Sequence, residues 1–397
     1  MQTPLEWLIS PLTKEDFFER YWERETLVVK RGRPDYLESL LSLRDIDRVI
    51  TTLDRRYPDI VLKNADSRVA DTEYTLAGGA LNVAKLYQLF ERGSTVALAF
   101  LDTVLPTLTL FCRGLEGEFS FPFQTNVYMT PPGAQGAAPH YDTHDVFVLQ
   151  VAGSKKWTIF GTPLESPLAA QDFDPSVHQL GDCTLEFELE QGDVAYIPRG
   201  VGHEARSTDT ISLHITAGIL RYTWADLLLE QVASACLTQP ALRKALPPGF
   251  AVSGFNRAAA EQKAAELLEQ AATSANFHAA LDSFIEKFLA ACPPMLEGQM
   301  EQLAALERLT VDSLVGARAG VISRLETSGE SVSVECYGRR ITFPPQTREA
   351  VRFALSNHRF VLGALPGDLD DAGKLTLVRR LIREGLVIAL GAESPRV

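Results

Sequence analysis

Three residues of this sequence have the types and the spacing to hold a redox-active metal ion: His140, Asp142 and His203. In Pro139-His-Tyr-Asp142 the imidazole and the carboxylate are two positions apart, so an extended backbone turns both side chains to one face. Further on, Gly192-Asp-Val-Ala-Tyr-Ile-Pro-Arg-Gly-Val-Gly-His203 reads as a turn, a strand, a Pro/Gly loop and a second imidazole. That imidazole can return to the same place from a neighbouring strand. Two imidazoles and one carboxylate on one face of an octahedral ion leave three positions open, which is what dioxygen chemistry requires. Zinc on the same donors would instead make a hydrolytic centre with one bound water as nucleophile. A lone histidine is more often a hydrogen-bonded structural residue, so it is the combination, in a β-rich stretch, that points to a metal.

The elements that must position these residues are legible as short β-branched and aromatic runs divided by Gly and Pro: 125–129, 145–151, 156–160, 184–188, 193–197 and 211–219. Such spacing predicts an all-β barrel or sandwich, with 198–202 as a loop at its rim. Upstream, Thr13 and Asp16 ahead of Phe17, Phe18, Tyr21 and Trp22 predict a capped amphipathic helix, and 26–29 a strand. Residues 35–120 mix helical stretches (37–50, 82–90) with short strands (60–63, 96–100) and carry no marked chemistry. After Tyr222 apolar residues recur at three- and four-residue intervals over 224–237, 256–275, 277–291 and 298–309. Four helices without strands of their own suggest a bundle that pairs with a second copy. The last region alternates strand-like 331–336 and 340–343 with helices near 346–356 and 370–384, the latter stopped by Gly385, and suggests a small winged-helix-like domain. The division expected is 1–222, 223–315 and 316–397.

Composition bounds the possibilities. With 397 residues, 46% hydrophobic and 22% charged, the chain can bury a sizeable core and is too apolar to be disordered. The longest apolar runs, such as 146–151 and 386–390, are far too short to span a membrane, and the N-terminus lacks a basic segment followed by an apolar one. A cytoplasmic location is expected. Five scattered cysteines, none in a CxxC arrangement, read as buried free thiols. The net charge of −13 divides into +3 from Gly316 onward and −16 before it. With no dense basic helix in the tail, this argues against a nucleic-acid partner and permits attraction of a basic protein.

Several segments together resemble the JmjC-type ribosomal oxygenases, a subgroup of the cupin-like 2-oxoglutarate oxygenases. They are Thr125-Asn-Val-Tyr-Met-Thr-Pro-Pro132, Ala138-Pro-His-Tyr-Asp142, Asp145-Val-Phe-Val-Leu-Gln150, Gly153-Ser-Lys-Lys-Trp157 and Gly192-Asp-x4-Pro198-Arg-Gly-x2-His203. A typical cupin metal site would carry His-x-His and a Glu a few residues on, whereas here position 142 is Asp and the next Glu is Glu165. The resemblance implies an α+β chain built on a double-stranded β-helix, the jelly-roll or cupin-like JmjC barrel, with a helical dimerisation region and a C-terminal winged-helix-like domain. It implies Fe(II) on His140, Asp142 and His203, with 2-oxoglutarate as cosubstrate and O2 as oxidant. Lys155 would pair with the distal carboxylate of 2-oxoglutarate, and a dicarboxylate inside a barrel does need a fixed cation to offset its desolvation. Strand alternation lets only one of Lys155 and Lys156 face inward, and the family pattern favours Lys155. Asn126 and Tyr128 match residues at the cosubstrate or substrate end of the family's pocket, and Ser212 is a weaker candidate for the same place.

Around this set, Trp157 and Phe147 read as core aromatics and His144 as a rim residue, where relatives often carry an acidic or other polar group. Asp145 reads as a substrate contact or a structural acceptor, His214 as hydrogen-bonded behind the ligands, and Arg199 and Arg206 as rim cations. The activity implied is hydroxylation of a protein side chain, such as an Arg or His of a ribosomal protein, by a homodimer. Two other readings stand beside it: an oxygenase acting on a peptide natural product or small metabolite, and a non-catalytic cupin-like binding module.

Overall fold

The computed structural model describes residues 2–391 apart from 66, 68 and 330. Two compact units divide the chain, the first over Met1–Leu220 with the short returns Met295–Gln299 and Arg318–Val321, the second over the remainder. The first unit contains strands β1 (Leu27–Val29), β2 (Ile60–Lys63), β3 (Thr95–Leu98), β4 (Phe123–Thr130), β5 (Asp145–Ala152), β6 (Lys155–Phe160), β7 (Cys183–Leu189), β8 (Val194–Ile197), β9 (His203–Ser207) and β10 (Ser212–Ile219). They form a seven-stranded sheet in the order β1-β8-β5-β10-β4-β3-β2 and a three-stranded sheet in the order β7-β6-β9. Every pairing is antiparallel.

Side chains on a strand alternate between faces, and the central strands use both. Phe147, Leu149 and Val151 of β5, Leu213, Ile215 and Ala217 of β10, and Val127 and Met129 of β4 belong to one apolar cluster. The same cluster takes in Leu5, Leu8, Phe17, Ile46 and Leu115 from the helices Pro4–Ile9, Leu43–Thr52 and Pro106–Phe119 and the turn Phe17–Tyr21. Val146 and Val148 point the other way and join Trp157, Ile159, Ala195 and Ile197 between the two sheets. A helical layer thus covers one face of the large sheet, and the opposite face closes with the small sheet around the interior.

Local chemistry explains where several elements start. Thr13 does cap a helix, but after one turn, Lys14–Asp16, the chain widens into a π turn over Phe17–Tyr21. The helix expected over 37–50 is two pieces: a 3-10 turn at Pro34–Leu37, then Leu43–Thr52, whose start is fixed by a reciprocal cap between Ser42 and Asp45. Cys112, Cys292 and Cys336 are buried and in no disulfide, but Cys236 is only half-buried and Cys183, which begins an edge strand, is exposed.

In the second unit the helices Trp224–Thr238, Arg257–Ser274 and Phe277–Ala291 precede two small antiparallel sheets. One pairs Leu314–Ala317 with Phe360–Val361 and Val387–Ala389; the other is the meander Arg324–Ser328, Ser331–Cys336 and Arg339–Phe343. Helices Arg348–Ser356 and Asp371–Arg383 complete it, the second burying Leu377, Val378, Leu381 and Ile382. No described helix is long and apolar enough to cross a membrane.

Candidate metal centre

Backbone pairing brings the three sequence-predicted ligands together. His140 N–H donates to His203 O at 3.1 Å and His203 N–H to His140 O at 2.7 Å, an isolated bridge joining the segment before β5 to the first residue of β9. Gly200 N–H donates to Asp142 O at 2.9 Å, tying the rim loop to the same segment. The imidazole rings then lie 4.7 Å apart between centroids. Asp142 Oδ1 is 3.8 Å from His140 Nε2, and its Oδ2 is 3.7 Å from His203 Nε2. One ligand atom from each residue lies within 4.8 Å of the other two, a set able to hold a single ion.

The second nitrogen of each ring fixes which one ligates. A carbonyl oxygen only accepts, so His140 Nδ1–H donates to Ala138 O at 2.8 Å and His203 Nδ1–H to Val201 O at 3.0 Å. Both Nε2 lone pairs are left for the ion. Burial holds His203 below the usual imidazole range despite the pull of Asp142, so the ring is a neutral donor. Burial works against the Asp142 charge, yet the fields of His203, His144, His140 and Lys63 outweigh it and hold the carboxyl below its usual range.

One cavity opens on this triad, and strand alternation decides what lines it. From β4 come Asn126 and Tyr128, from β10 His214 and Thr216, from β6 Lys155 and Trp157. Lys155 is 4% exposed and donates to Thr130 Oγ1 at 3.1 Å, while Lys156 faces solvent. Burial alone pulls the Lys155 amine down to about 7. The Tyr128 hydroxyl is pushed up to about 12, by burial first and by Asp142 second, so it stays a neutral donor.

Ser212 does not line the cavity: its hydroxyl is buried and accepts from Gln150 Nε2 at 2.9 Å. Thr216, further along the same face of β10, lines it instead. The rim cations expected at 199 and 206 are both engaged. Arg199 is buried and pairs with Asp145 at 3.0 Å and with Glu23; Arg206 donates to Gly133 O at 3.1 Å. Asp145 is therefore a structural acceptor, bonded also by Tyr196 Oη at 2.9 Å. His214 has no hydrogen bond at Nδ1 among the described residues and stacks on Tyr128 with 5.1 Å between centroids. Trp157 belongs to the core but also forms cavity wall. Lys63 and Glu204, which the sequence did not mark, stand at the cavity as well, and only their register in β2 and β9 reveals it.

Two facing antiparallel sheets with two imidazoles and a carboxylate at the mouth of their interior define a cupin-like metal-binding protein. The JmjC domain family model matches residues 110–227, the stretch that contains the three residues of the triad. Ribosomal oxygenase 1 of Gallus gallus is 29% identical over 96% of this chain and 71% of its own length. The bifunctional lysine-specific demethylase and histidyl-hydroxylase NO66 of Drosophila mojavensis is 30% identical over 77% of this chain, which spans only 36% of that protein. Among solved structures, the ribosomal oxygenase YcfD of Escherichia coli, in complex with cobalt and 2-oxoglutarate, aligns over 96% of this chain and 99% of its own, with a TM-score of 0.56 and 18% identity. The fold is the same.

Proposed function

We propose that this chain is an Fe(II)- and 2-oxoglutarate-dependent oxygenase that hydroxylates a side chain of a ribosomal protein. One observation carries it: two Nε2 atoms and a carboxylate converge at a cavity that also contains a buried lysine. The donor set suits Fe(II), because three protein ligands on one face leave room for a chelating cosubstrate and O2. When bound, that group supplies the oxidation, in which 2-oxoglutarate and O2 yield succinate and CO2 and one oxygen atom enters a substrate C–H bond.

The residues do the rest. His140, Asp142 and His203 hold the ion, and Lys155 takes the distal carboxylate of 2-oxoglutarate, a charge that compensates its own burial. Tyr128 offers its hydroxyl as donor beside it. Asn126, which lines the same cavity, accepts at Oδ1 from Phe100 N–H at 3.3 Å and Gln124 Nε2 at 3.1 Å, which leaves its amide nitrogen to act as a donor. The relatives named as ribosomal oxygenases support a protein substrate, and the negative charge of the chain favours encounter with a basic ribosomal surface.

A second copy fits the helices after residue 222, where Trp224, Leu228, Leu229 and Val232 leave apolar surface exposed. The C-terminal region from 316 is read as winged-helix-like, serving protein contact rather than nucleic acid. Its arginines are largely engaged: Arg339 with Glu384 at 2.8 Å, Arg340 with Glu326 at 3.1 Å, and Arg380 over the Phe343 ring. The catalytic reading is tested with Asp142→Ala and His203→Ala. Each variant is expected to lose Mn(II) binding by calorimetry and iron-dependent succinate formation while keeping its circular-dichroism spectrum; activity surviving either change removes the triad. Ribosomal proteins from cells with and without the gene should differ by the mass of one oxygen atom on one peptide. Unchanged masses would favour a peptide natural product or small metabolite as substrate.

A further inference from the structure

Tyr141 stands between two of the three ligands and faces away from both. His140 and Asp142 turn to the cavity, so on extended chain the side chain between them turns to the other side of the segment. There it is 2% exposed and meets the excursion 161–182, which joins β6 to β7. Its hydroxyl donates to Gln171 O at 2.9 Å, and its ring stands edge-on to Phe173 and His178, with 5.2 and 5.3 Å between centroids. A tight turn fixes those two rings: Ser176 N–H donates to Asp174 Oδ1 at 2.8 Å, and Asp174 N–H to His178 Nδ1 at 3.1 Å.

The third ligand meets the same excursion through its own neighbour. Gly202 N–H donates to Gly161 O at 3.0 Å, and Phe160 N–H, where β6 ends, donates to Gly202 O at 2.7 Å. A Cβ on Gly202 would lie 2.7 Å from Leu180 Cδ2. Gly200, whose φ is +81°, leaves room for Leu164 O, which would lie 2.1 Å from a Cβ at that position. Each ligand thus adjoins a residue seated on the excursion: Tyr141 for His140 and Asp142, Gly202 for His203. Among the described residues none of 161–182 lines the cavity, so whatever the excursion does for the site it does from behind.

We infer that the excursion 161–182 is a clamp that holds the three ligands in register before an ion arrives, and that Tyr141 is its positioning residue. The inference rests on the metal-binding reading above. A ligand already held by a partner behind it needs no ordering when the ion binds, and loss of such a partner costs metal affinity about ten- to a hundredfold. Tyr141 acts on two ligands at once, because its hydroxyl bond and ring contacts fix the backbone between them.

Three substitutions separate the contributions. Tyr141→Ala removes the hydroxyl and the ring, Tyr141→Phe only the bond to Gln171, and Phe173→Ala the opposing ring without touching a ligand segment. Ile46→Val, in the core beneath helix Leu43–Thr52, is the control for stability lost without loss of positioning. The probe is Mn(II) alone, titrated by calorimetry into the full chain, with the electron paramagnetic resonance line of the saturated protein as second readout. Tyr141→Ala should weaken binding at least about tenfold, and Phe173→Ala and Tyr141→Phe about threefold, with circular-dichroism spectra retained. The resonance should broaden in all three, because the donors no longer share one arrangement. Ile46→Val should bind as the wild type does. If Tyr141→Ala fails to fold, Phe173→Ala carries the test. Affinity within about twofold of wild type in both Tyr141→Phe and Phe173→Ala, or an equal loss in Ile46→Val, overturns the clamp and leaves the ligand assignment standing. A wild-type protein that binds no Mn(II) removes the metal centre and the clamp together.

Discussion

At the residue scale, Lys155 carries the sharpest consequence. Burial disfavours the charged form and pulls its amine down to about 7, whereas a solvated lysine stays charged to far higher pH. Binding a dicarboxylate requires the ammonium. Below pH 7 the free protein already has it; above pH 7 a proton must be taken up as the ligand binds, so affinity falls as pH rises through that value. Titration of 2-oxoglutarate into Mn(II)-loaded protein should weaken about tenfold between pH 7 and 8.5, with proton uptake visible as a dependence of the heat on buffer ionisation enthalpy. Lys155→Met should bind weakly and lose that dependence. A dissociation constant flat across the range in the wild-type protein would remove Lys155 as the anchor. Strand alternation in the sequence allows Lys155 or Lys156 inside and the family resemblance favours Lys155; in β6 it is Lys155 that shares the inward face with Trp157.

At the element scale, the loop from Pro198 to Gly202 must deliver His203, and a buried ion-pair cluster sets its path. Arg199 lies between Asp145, three residues after Asp142, and Glu23 in the N-terminal segment. Burial opposes the guanidinium charge, but the two carboxylates outweigh it. Arg199→Met should leave the Asp145 carboxylate buried beside only Tyr196 Oη and a backbone N–H, costing about 3 kcal/mol by chemical denaturation. It should also weaken Mn(II) binding, since both ligand segments start from this cluster. Pairing it with Asp145→Leu should recover much of the stability; a double variant no better than the single would mean the ion pair is not what holds the loop. Nothing in the sequence marks this pair, because Glu23 and Arg199 are 176 residues apart. The three ligands were legible, by contrast, because their geometry is local: His-x-Asp on extended chain, and an imidazole after a Pro/Gly loop. Strand β9 was not, since His-Glu-Ala-Arg-Ser has no apolar alternation. Helix Pro106–Phe119 contains Gly114 and Gly117, which weaken its local signal; Gly114 is there because a side chain would overlap Pro4. Ser212 and Thr216 share a face of β10, and the register, shifted by an irregularity at Leu213/His214, settles which reaches the cavity.

At the scale of the whole molecule, the apolar stripe of helix Trp224–Thr238 asks for a partner. Trp224, Leu228 and Val232 are spaced four apart and so lie one above another on a single face, with Leu229 beside them. Trp224 is 76% exposed and Leu229 68%, on a helix whose sole buried residue is Ala235. Isolated exposed leucines are ordinary, but a contiguous stripe on a helix of the second unit is the kind of surface that another subunit covers. Burial of apolar area returns about 25 cal/mol per Å², and a stable interface needs roughly 1,000 Å² or more in total. These four side chains can supply the core of such an interface. Sedimentation velocity at micromolar concentration should therefore give a dimer, and Leu228→Lys with Val232→Lys a monomer, because two buried ammonium groups per subunit cannot be solvated or paired there. The His140, Asp142 and His203 cluster lies wholly within the first unit, so the monomeric variant should still bind Mn(II) and 2-oxoglutarate with wild-type affinity. A wild-type protein that sediments as a monomer, or a double variant that remains dimeric, assigns the stripe to a different partner or the dimer to a different surface.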